Sequence, residues 1–551
     1  MALDLTAEQR EQGKANFQQV SESLTRRGFM KSMLAAGAVV PVSAAVYFGY
    51  ESVHGKPVKA ALIGCGDEGG VLLGEHNPEY LEFVAACDIR PYNQKRIIDG
   101  DPKVALRKGF RKVYGDRYAQ KVATNHMYSD YKEMLAKEKE IEAVVIAVPL
   151  HLHAQVTIDC LNAGKHVLCE KLMARTITQC KEMIRIAKEK DLVLSIGHQR
   201  HYSMLYAHAQ EVMASNVLGD VKHIRALWHR NFSWPYTPDP SLPELMVGAN
   251  FPAPKYRDGW YPPIFKMDYD ALKDSFSKYG YRSMEELIRW RLYQRTGGGL
   301  MAELGSHQLD ACSIFLGHVH PLAVTGVGTR SFFGPTNEMK GNDRSIDDHV
   351  FCTFEFPGRN HPKGVGHGKD DKDIVVVTYS SVSTNGFEQY GECVMGSRGS
   401  MIVEGESSVM IYPERDPSKK NIVPRSTSVT VTGETNKPVL EASSTWGPAG
   451  PPAASAATSG PAAGAGGPIS RGYREEMEDF AYCIRMWKEA MSTDRRRPRC
   501  HGEVAMADAI IALTSNLAMK NQKRIEFKDE WFAPDNNDVP DSEIKPDEIR
   551  D

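Results

Sequence analysis

The sequence predicts an α/β protein whose folded part begins with a parallel sheet. Two observations indicate this: an apolar run, Val58–Ile63, ends at a glycine-rich turn, and later apolar runs alternate with amphipathic helical stretches. A third is the composition, with 42% hydrophobic and 25% charged residues among 551. These fractions are typical of globular proteins and exclude a chain that is disordered throughout.

The charge and the cysteine content exclude two further classes of protein. The 67 Lys and Arg residues nearly balance the 70 Asp and Glu residues, and the net charge of −3 excludes a nucleic-acid binder with a basic surface. Ten cysteines are too few for a disulfide scaffold. They are scattered singly, without a CxxC motif, so we expect most of them to be free thiols.

The first fifty residues predict a targeting segment that lies outside the fold. Arg26 and Arg27 are followed by Phe29 and by an uncharged, apolar run from Ser32 to Tyr50. This pattern resembles a twin-arginine export signal and predicts a periplasmic protein. Because a run of about 19 residues is nearly long enough to span a membrane, the alternative is an anchor, and an uncleaved signal would tether the protein.

The folded part opens with a nucleotide-binding fingerprint. The first predicted strand is followed by the turn Gly64-Cys65-Gly66-Asp67-Glu68-Gly69 and then by a helix. Gly64 permits a tight turn, Gly66 lets the backbone approach a pyrophosphate, and Gly69 allows close helix–strand packing. Around Asp67 and Glu68, the unpaired N–H groups and the positive dipole end of the helix would face the phosphates. This context predicts a Rossmann dinucleotide-binding domain.

An acidic residue ends the second predicted strand. Asp88 follows the apolar run Phe83–Cys87 and lies nineteen residues after Gly69. At this position a carboxylate accepts hydrogen bonds from the ribose hydroxyls of NAD. Arg90 lies close by in the sequence and would instead favour the 2′-phosphate of NADP. NAD is therefore the predicted cofactor, with NADP as the alternative.

The alternation of strands and helices continues to a lysine at a strand end. Ala143–Val148 is a continuous apolar run, typical of a strand buried on both faces, and Pro149 ends it. The next predicted strand, His166–Cys169, is followed at once by Glu170 and Lys171. Ligands bind beyond the carboxyl ends of parallel strands, so this lysine is placed for chemistry, although a lysine here is also typical of a solvated surface.

These motifs together resemble the Gfo/Idh/MocA oxidoreductase family. The resemblance rests on the glycine fingerprint, on Pro149 and His153, and on a run in which the family's Glu-Lys-Pro reads Glu170-Lys171-Leu172. It implies that Pro149, His153, Glu170 and Lys171 contact the cofactor and that Lys171 also acts in catalysis. The proline that usually shapes this loop is replaced by Leu172.

A second signature of the family lies on a predicted helix. Three glycines precede Glu303, His307 and Asp310, and the spacing of four places Glu303 and His307 on one helical face. The resemblance implies that His307, with an imidazole pKa near 6.5, is the catalytic base and that Lys171 stabilises charge on the same oxygen. It further implies that Glu303, usually Asp in the family, orients His307 or binds a neighbouring hydroxyl of the substrate, and that Asp310 helps to fix the substrate. The alternative is an amphipathic helix with an incidental His–Glu pair.

The resemblance also implies the domain organisation. After a targeting segment at 1–50 come a Rossmann domain at 57–172, a C-terminal domain at 173–535 with a large, mostly antiparallel open sheet, and a tail at 536–551. Apolar runs after residue 220 agree with strands in the second domain. Within it, the stretch 447–468 contains only Gly, Ala, Pro, Ser and Thr, which predicts a disordered insert.

Three polar side chains follow the predicted Rossmann domain. His198, Arg200 and Tyr202 lie where the family crosses from the cofactor toward the substrate, which implies contacts to sugar hydroxyls or to the cofactor. A polar loop explains these residues nearly as well. Because His198 and His201 have no further ligands at metal spacing in the sequence, we expect no metal site.

The predicted function is NAD(P)-dependent oxidation or reduction of a secondary hydroxyl of a sugar, glycoside or cyclitol. Free NAD is not expected outside the cytoplasm, so an exported enzyme would hold its cofactor tightly and recycle it internally. The alternatives are an NAD-dependent glycosidase or lyase that works by oxidation–elimination and a non-catalytic nucleotide-binding sensor. The expected partner is a small carbohydrate, with no nucleic acid, membrane contact only through the export segment, and assembly into a homo-oligomer, as a dimer or tetramer.

Overall fold

A computed structural model describes residues 5–20, 48, 56–240, 242–245, 254–333, 344–414, 471–489 and 497–540 of the chain. The predicted twin-arginine motif, nearly all of the apolar run after it, the predicted disordered insert at 447–468 and residues 541–551 lie outside the described residues. Within the described ranges, no helix is both long enough and apolar enough to cross a membrane. All ten cysteines are described, and all are free and buried, as expected.

The N-terminal domain contains a six-stranded parallel sheet, as predicted. Its strands are β1 (Val58–Ile63), β2 (Leu81–Cys87), β3 (Met127–Tyr128), β4 (Ala143–Ile146), β5 (His166–Glu170) and β6 (Leu194–Gly197). They lie in the order β3-β2-β1-β4-β5-β6. The strand order reverses between β1 and β4, and in sheets of this kind ligands bind beyond the carboxyl ends of the strands at such a reversal.

Helices cover both faces of this sheet. An N-terminal helix, α1 (7–20), precedes the domain, and its own helices are α2 (Asp67–Glu75), α3 (Pro91–Asp99), α4 (Gly109–Tyr114), α5 (Asp116–Asn125), α6 (Tyr131–Lys137), α7 (His153–Asn162) and α8 (Ile177–Glu189). Their starts follow local chemistry. Asp130 caps α6 through its carboxylate, Pro91 is the first residue of α3, and Thr176 and Gln179 form a capping box on α8.

The second domain is built on an eight-stranded sheet. Its strands are β7 (Val221–His229), β8 (Ala323–Thr329), β9 (His349–Pro357), β10 (Ile374–Val382), β11 (Tyr390–Gly396), β12 (Gly399–Glu404), β13 (Ser408–Pro413) and β14 (Ile525–Glu526). The order is β13-β12-β11-β7-β10-β9-β8-β14, and every pair is antiparallel except β7 with β10. The predicted large, mostly antiparallel sheet is confirmed.

Helices of the second domain cover one face of that sheet. The principal helices after β6 are α9 (Met204–Ala214), α10 (Lys266–Leu272), α11 (Met284–Ile288), α12 (Gln294–Gly297), α13 (Ser306–Phe315), α14 (Tyr473–Glu489) and α15 (Gly502–Asn521). Of these, α9, α13 and α15 contact the strands of this sheet, whereas α14 contacts β1 and β2 of the parallel sheet. Along β9, Val350, Cys352, Phe354 and Phe356 are buried, whereas Phe351, between the first two, is 48% exposed. This alternation places one face of the sheet against the helices and the other face toward solvent.

The boundary predicted at residue 172 is too early. β6 pairs with β5 in parallel, so the first sheet continues to Gly197. In addition, Phe480 and Ile484 of α14 share a hydrophobic cluster with Leu62 and Phe83 of the parallel sheet. The N-terminal domain therefore recruits part of its core from a segment near the end of the chain, which local sequence patterns do not indicate.

Residues 5–20 belong to the fold, contrary to the prediction that the first fifty residues lie outside it. The side chain of Arg10 pairs with Glu404 at 2.6 Å, and the amide of Asn16 donates to the carbonyl oxygen of Ile411 at 3.0 Å. The hydroxyl of Tyr412 donates to the carbonyl oxygen of Gln9 at 3.1 Å. These contacts hold α1 against β12 and β13 at the edge of the second sheet.

Candidate functional site

A large cleft lies beyond the carboxyl ends of the parallel strands. It has a volume of about 2630 Å³ and extends from the glycine turn after β1 to α13 and the end of β7 in the second domain. Its walls include Gly64, Asp88, Lys171, Glu303 and His307. The structure therefore brings the predicted cofactor turn and the predicted catalytic residues to one cavity.

The three glycines of the turn meet different steric constraints. Gly64 has φ +93°, and a Cβ there would lie 2.3 Å from the carbonyl oxygen of Ala147. A Cβ on Gly69 would lie 2.0 Å from the carbonyl oxygen of Gly64, so α2 packs directly on the turn. A Cβ on Gly66 would meet no atom within 4 Å, because this residue faces the cleft. The turn leaves its backbone open to a ligand at Gly66.

The first turn of α2 presents backbone N–H groups beside two acidic side chains whose negative charge is compensated or reduced. Gly66, the N-cap residue, supplies no side-chain cap. Burial would raise the pKa of Asp67, but ion pairs with Arg96 at 2.8 Å and Arg107 at 3.1 Å lower it. Burial raises the pKa of Glu68 and so favours its neutral form. The helix terminus can therefore receive phosphate oxygens despite the two acids beside it.

Asp88 lines the cleft one strand away from the glycine turn. Its carboxylate accepts hydrogen bonds from the backbone N–H groups of Cys65 and Arg90, both at 2.8 Å, and from the side chain of Asn93 at 3.0 Å. The Arg90 guanidinium pairs with buried Asp268, with two nitrogen–oxygen distances of 2.9 Å. Because Arg90 is already paired, the arrangement favours a free ribose over a 2′-phosphate.

His153 lines the cleft, as a cofactor contact requires, and also links two loops of the parallel sheet. Its ring nitrogens lie 2.7 Å from the carbonyl oxygen of Leu172 and 2.8 Å from that of Val148. Both ring nitrogens are thus engaged by backbone atoms, and the ring connects the loops that follow β4 and β5. Pro149, which follows β4, also lines the cleft.

Glu170 and Lys171, at the carboxyl end of β5, have different surroundings. The Glu170 carboxylate accepts the backbone N–H of Lys171 at 3.1 Å, and burial together with neighbouring Glu68 raises its pKa well above the ordinary value. The Lys171 ammonium donates to the carbonyl oxygen of Glu303 at 2.8 Å and lies 3.8 Å from the carboxylate of Glu303. The lysine therefore reaches across the cleft to the second domain.

Glu303 interacts with two cations and not with the histidine predicted as its partner. It lies on a π-helical turn, Met301–Gly305, that precedes α13, and its carboxylate accepts from Arg291 at 2.5 Å. Burial would raise the pKa of Glu303, but Arg291 and Lys171 lower it to about 2. No described hydrogen bond joins it to His307, whose Nδ1 is buried without a partner. Glu303 thus holds Lys171, and its predicted role in orienting His307 is not supported by a contact.

His307 lines the cleft beside an aromatic wall. Its ring centroid lies 5.4 Å from that of Trp228, which stacks on Tyr390 at 4.5 Å. Burial and the nearby charge of Lys171 lower the pKa of His307 well below 6.5. The expectation of an ordinary imidazole pKa is therefore wrong, because the protonated ring would be both desolvated and repelled. The neutral ring can accept a proton throughout the neutral range.

Arg230 is a cleft residue that the sequence interpretation missed. Its guanidinium lies 5.0 Å from the ring centroid of Trp228 and 5.9 Å from that of Phe232. Burial lowers the pKa of Arg230 to about 10, and no carboxylate is within ion-pair distance in the part of the chain that the structure describes. The sequence could have indicated this residue, because Trp228, Arg230 and Phe232 are spaced by two at a strand end and alternate residues of a strand share a face.

The four predicted substrate contacts lie outside the cleft. His198, Arg200, Tyr202 and Asp310 are each at most 1% exposed, and none lines the cavity. The three-residue step from His307 turns Asp310 away from the cleft and toward His201, whose ring lies 2.6 Å from its carboxylate. The prediction of direct substrate contact is therefore corrected for all four.

Arg200 and Tyr202 instead support the site from behind. The guanidinium of Arg200 pairs with Glu392 and Glu406, both at 2.9 Å, and donates to the carbonyl oxygen of His307 at 2.5 Å. The hydroxyl of Tyr202 accepts the backbone N–H of Cys500 at 3.0 Å. These groups hold the start of α13 in place without reaching the cavity.

The glycine turn, the parallel sheet and the second, largely antiparallel domain define an NAD-binding Rossmann protein of two domains. Residues 58–198 match the sequence model of an oxidoreductase family with an NAD-binding Rossmann fold. Residues 275–402 match the model of the C-terminal domain of the same GFO/IDH/MocA family. These two stretches of the chain therefore match both domains of the Gfo/Idh/MocA family of oxidoreductases.

Curated relatives are similar over part of the chain. Inositol 2-dehydrogenase of Salmonella typhimurium is 30% identical over 166 residues, which cover 29% of this chain and 43% of that protein. Trans-1,2-dihydrobenzene-1,2-diol dehydrogenase of Xenopus tropicalis is 31% identical over 112 residues, covering 20% and 34%. The chain spans less than half the length of these curated relatives.

Solved structures share the fold over most of the chain. An inositol dehydrogenase homologue from Azotobacter vinelandii, complexed with NADH and myo-inositol, superimposes with a TM-score of 0.52 at 14% identity and covers 86% of this chain and 98% of that one. Aldose–aldose oxidoreductase from Caulobacter crescentus gives 0.50 at 16% identity, covering 86% and 100%. Identities this low establish the shared architecture alone.

Substitution at Gly69 and Gly66 should separate packing from cofactor binding. Gly69→Ala forces its Cβ against the turn, so we expect the free energy of unfolding to fall by about 1–3 kcal/mol. Gly66→Ala adds a Cβ in open space, so unfolding should change by less than about 1 kcal/mol while NAD binding weakens about tenfold or more. Denaturation and calorimetric NAD titration measure the two effects, and unchanged NAD affinity in Gly66→Ala would contradict the assignment.

Arg200→Met should unfold more easily than the wild type, because it leaves Glu392 buried without a guanidinium partner and Glu406 paired with Arg471 alone. We expect a loss of about 3–5 kcal/mol in the free energy of unfolding. Arg111→Met is the matched control, since its pairs with Asp99 and Asp116 are exposed and should contribute little to the free energy of unfolding. Wild-type stability combined with lost carbohydrate turnover in Arg200→Met would restore the direct substrate contact that the structure disfavours.

Proposed function

We propose that the protein is an NAD-dependent oxidoreductase that acts on a secondary hydroxyl of a sugar, glycoside or cyclitol. The observation that carries the proposal is the meeting of Lys171 and His307 in the cleft that begins at the glycine turn. An acid–base pair next to a dinucleotide site suits the interconversion of an alcohol and a carbonyl. The named activities of the relatives, on inositol and on a cyclic diol, support this substrate class.

The residues of the cleft fit a bound NAD. The open backbone at Gly66 and the first turn of α2 would hold the pyrophosphate, and the carboxylate of Asp88 would hold the ribose of the adenosine half. A bound NAD would supply a hydride acceptor, and NADH a hydride donor, for the carbinol carbon of the substrate. The paired state of Arg90 supports NAD over NADP.

His307 and Lys171 share the proton chemistry at the substrate oxygen. The neutral ring of His307 accepts the hydroxyl proton as the carbonyl forms, and the Lys171 ammonium donates a hydrogen bond to the oxygen on which negative charge develops. Glu303 fixes the position of Lys171 through its carbonyl oxygen and its ionised carboxylate. The stacked rings of Trp228 and Tyr390 offer the apolar face that a sugar or cyclitol ring requires.

We further propose export through the twin-arginine route and a cofactor that stays bound and is recycled. The Arg26-Arg27 motif and the apolar run after it support export. The packing of α1 on β12 and β13 supports retention of the segment ahead of the motif. Exposed apolar side chains on the open face of the second sheet, including Val327 and Phe351, support assembly of several copies.

Replacing Lys171 or His307 should abolish chemistry while NAD binding persists. We expect Lys171→Met and His307→Asn to slow reduction of bound NAD by substrate about 10²–10⁴-fold, the usual contribution of a positioned acid or base. Lys188→Met is a matched control, because Lys188 is exposed on α8. Single-turnover absorbance at 340 nm measures the rate, and a near wild-type rate in both variants would contradict the roles.

The pH dependence of the rate provides a second test of the proposed role of His307. Because the pKa of His307 is lowered well below 6.5, its proton-accepting form persists as the pH falls through 6.5. The wild-type rate of hydroxyl oxidation should therefore show no inflection near pH 6.5 and should decline only at lower pH. An inflection at that value would indicate a solvated, ordinary imidazole.

The purified protein should carry its nucleotide through gel filtration. We expect close to one NAD or NADH per chain after acid extraction, measured by chromatography with absorbance detection, because a recycled cofactor must not dissociate between turnovers. Gly66→Ala should come off the column depleted. A wild-type protein that emerges empty and binds NAD only at about millimolar concentration would contradict internal recycling while leaving the oxidoreductase proposal intact.

A further inference from the structure

Three buried polar side chains meet behind the cleft, on elements far apart in the sequence. His198 follows β6, Asp310 lies on α13 and Asp508 lies on α15. Each offers one nitrogen or oxygen atom, and these three atoms lie within 4.8 Å of one another. All three side chains are at most 1% exposed. The cluster therefore lies in the protein interior, outside the cavity described above.

Most of the polar atoms of this cluster have no hydrogen-bond partner. Neither ring nitrogen of His198 is paired, and the same holds for Oδ2 of Asp310 and Oδ1 of Asp508. Buried polar atoms in folded proteins are almost always hydrogen-bonded, so each exception needs an explanation. A single imidazole with both nitrogens buried and unpaired is especially costly, because a neutral ring always presents one acceptor and one donor.

The charges of the cluster also indicate a missing partner. Within the described residues, Asp310 lies within ion-pair distance of His198 at 3.7 Å and His201 at 2.6 Å, and no ion pair of Asp508 is present. Two carboxylates in contact, without Lys or Arg between them, repel each other in a medium of low dielectric. A proton shared by Asp310 and Asp508 would remove one charge but would leave the ring of His198 unpartnered.

We propose that His198, Asp310 and Asp508 bind a divalent transition-metal cation, with Zn²⁺ or Mn²⁺ as the chemical type. One imidazole nitrogen and two carboxylate oxygens form a ligand set that such ions accept, and water can complete the coordination. Three atoms at the observed separation lie within about 2.8 Å of a common centre, so small side-chain shifts bring them to roughly 2.0–2.2 Å, the usual Zn–N and Zn–O distance.

The position of the site indicates a structural role. The ion would join the end of the parallel sheet to α13 and α15, and α13 carries His307 three residues before Asp310. Binding there would hold the helix that supplies the proposed base without contacting the reacting atoms. The sequence interpretation expected no metal because the ligands lie 112 and 198 residues apart, at no recognisable spacing.

Metal content of the full-length protein tests the proposal. The chain is produced in medium supplemented with Zn²⁺ and Mn²⁺, purified without metal-affinity chromatography, and analysed by plasma mass spectrometry. We expect about one equivalent of metal per chain in the wild type and less than about a tenth of that in Asp508→Asn. Because asparagine keeps the shape and its amide can donate a hydrogen bond to Asp310, it mimics the hydrogen bond of a protonated Asp508 but removes an anionic ligand.

Glu476→Gln is the matched control, since Glu476 is also a fully buried carboxyl with unpaired oxygens but lies outside the cluster. It should retain the full equivalent of metal. Wild-type protein without metal above background, or Asp508→Asn with as much metal as the wild type, would overturn the proposal. If Asp508→Asn does not fold, X-ray absorption of the wild type decides: nitrogen and oxygen neighbours support the site, and sulfur at about 2.3 Å overturns it.

Discussion

The contact between Lys171 and Glu303 joins the two domains at the centre of the cleft, and the chemistry of the site depends on it. Lys171 ends a strand of the parallel sheet, whereas Glu303 lies on the π-helical turn that introduces α13. The ammonium donates to the glutamate backbone, and Arg291 on the other side keeps the carboxylate ionised. The ammonium is thus held by the domain opposite its own. Any change in the angle between the domains would move it away from the oxygen that it is proposed to contact.

Ion pairing and shifted pKa values reduce the negative charge of the acids around the glycine turn, which explains how the phosphates of a dinucleotide could bind there. Asp67 is paired with two arginines, and burial shifts Glu68 and Glu170 toward their neutral forms. The remaining fixed charge near the turn is then carried mainly by guanidinium groups and by the N-terminus of α2. Such an environment stabilises phosphates, which bring two further negative charges.

Much of the fold was predictable because its signals are local. The apolar runs predicted β1, β4 and β5 closely, since strands buried on both faces have a simple composition. The glycine turn was equally predictable, because a separate steric reason favours glycine at each of its three positions. Lys171 and His307 could be placed in one site only through resemblance to a family, since 136 residues separate them.

Other features depend on contacts that no local pattern encodes. The polar loop at Arg200 is indistinguishable in sequence from a ligand-binding loop, and only Glu392 and Glu406 show that it is buried. The role of Asp310 was misjudged because a spacing of three residues on a helix is close to, but not on, the face of His307. Arg230 was missed because an arginine at a strand end is ordinarily solvated.

The return of α14 to the parallel sheet has a consequence for biosynthesis. Phe480 and Ile484 complete the cluster that contains Leu62 and Phe83, yet they leave the ribosome long after β2. At a translation rate of roughly 5–20 residues per second, this apolar surface of the first sheet stays uncovered for about 20–80 seconds. The Rossmann domain is therefore not a unit that matures during translation. It needs nearly the whole chain, which makes nascent molecules clients for chaperones that shield hydrophobic surface until synthesis ends.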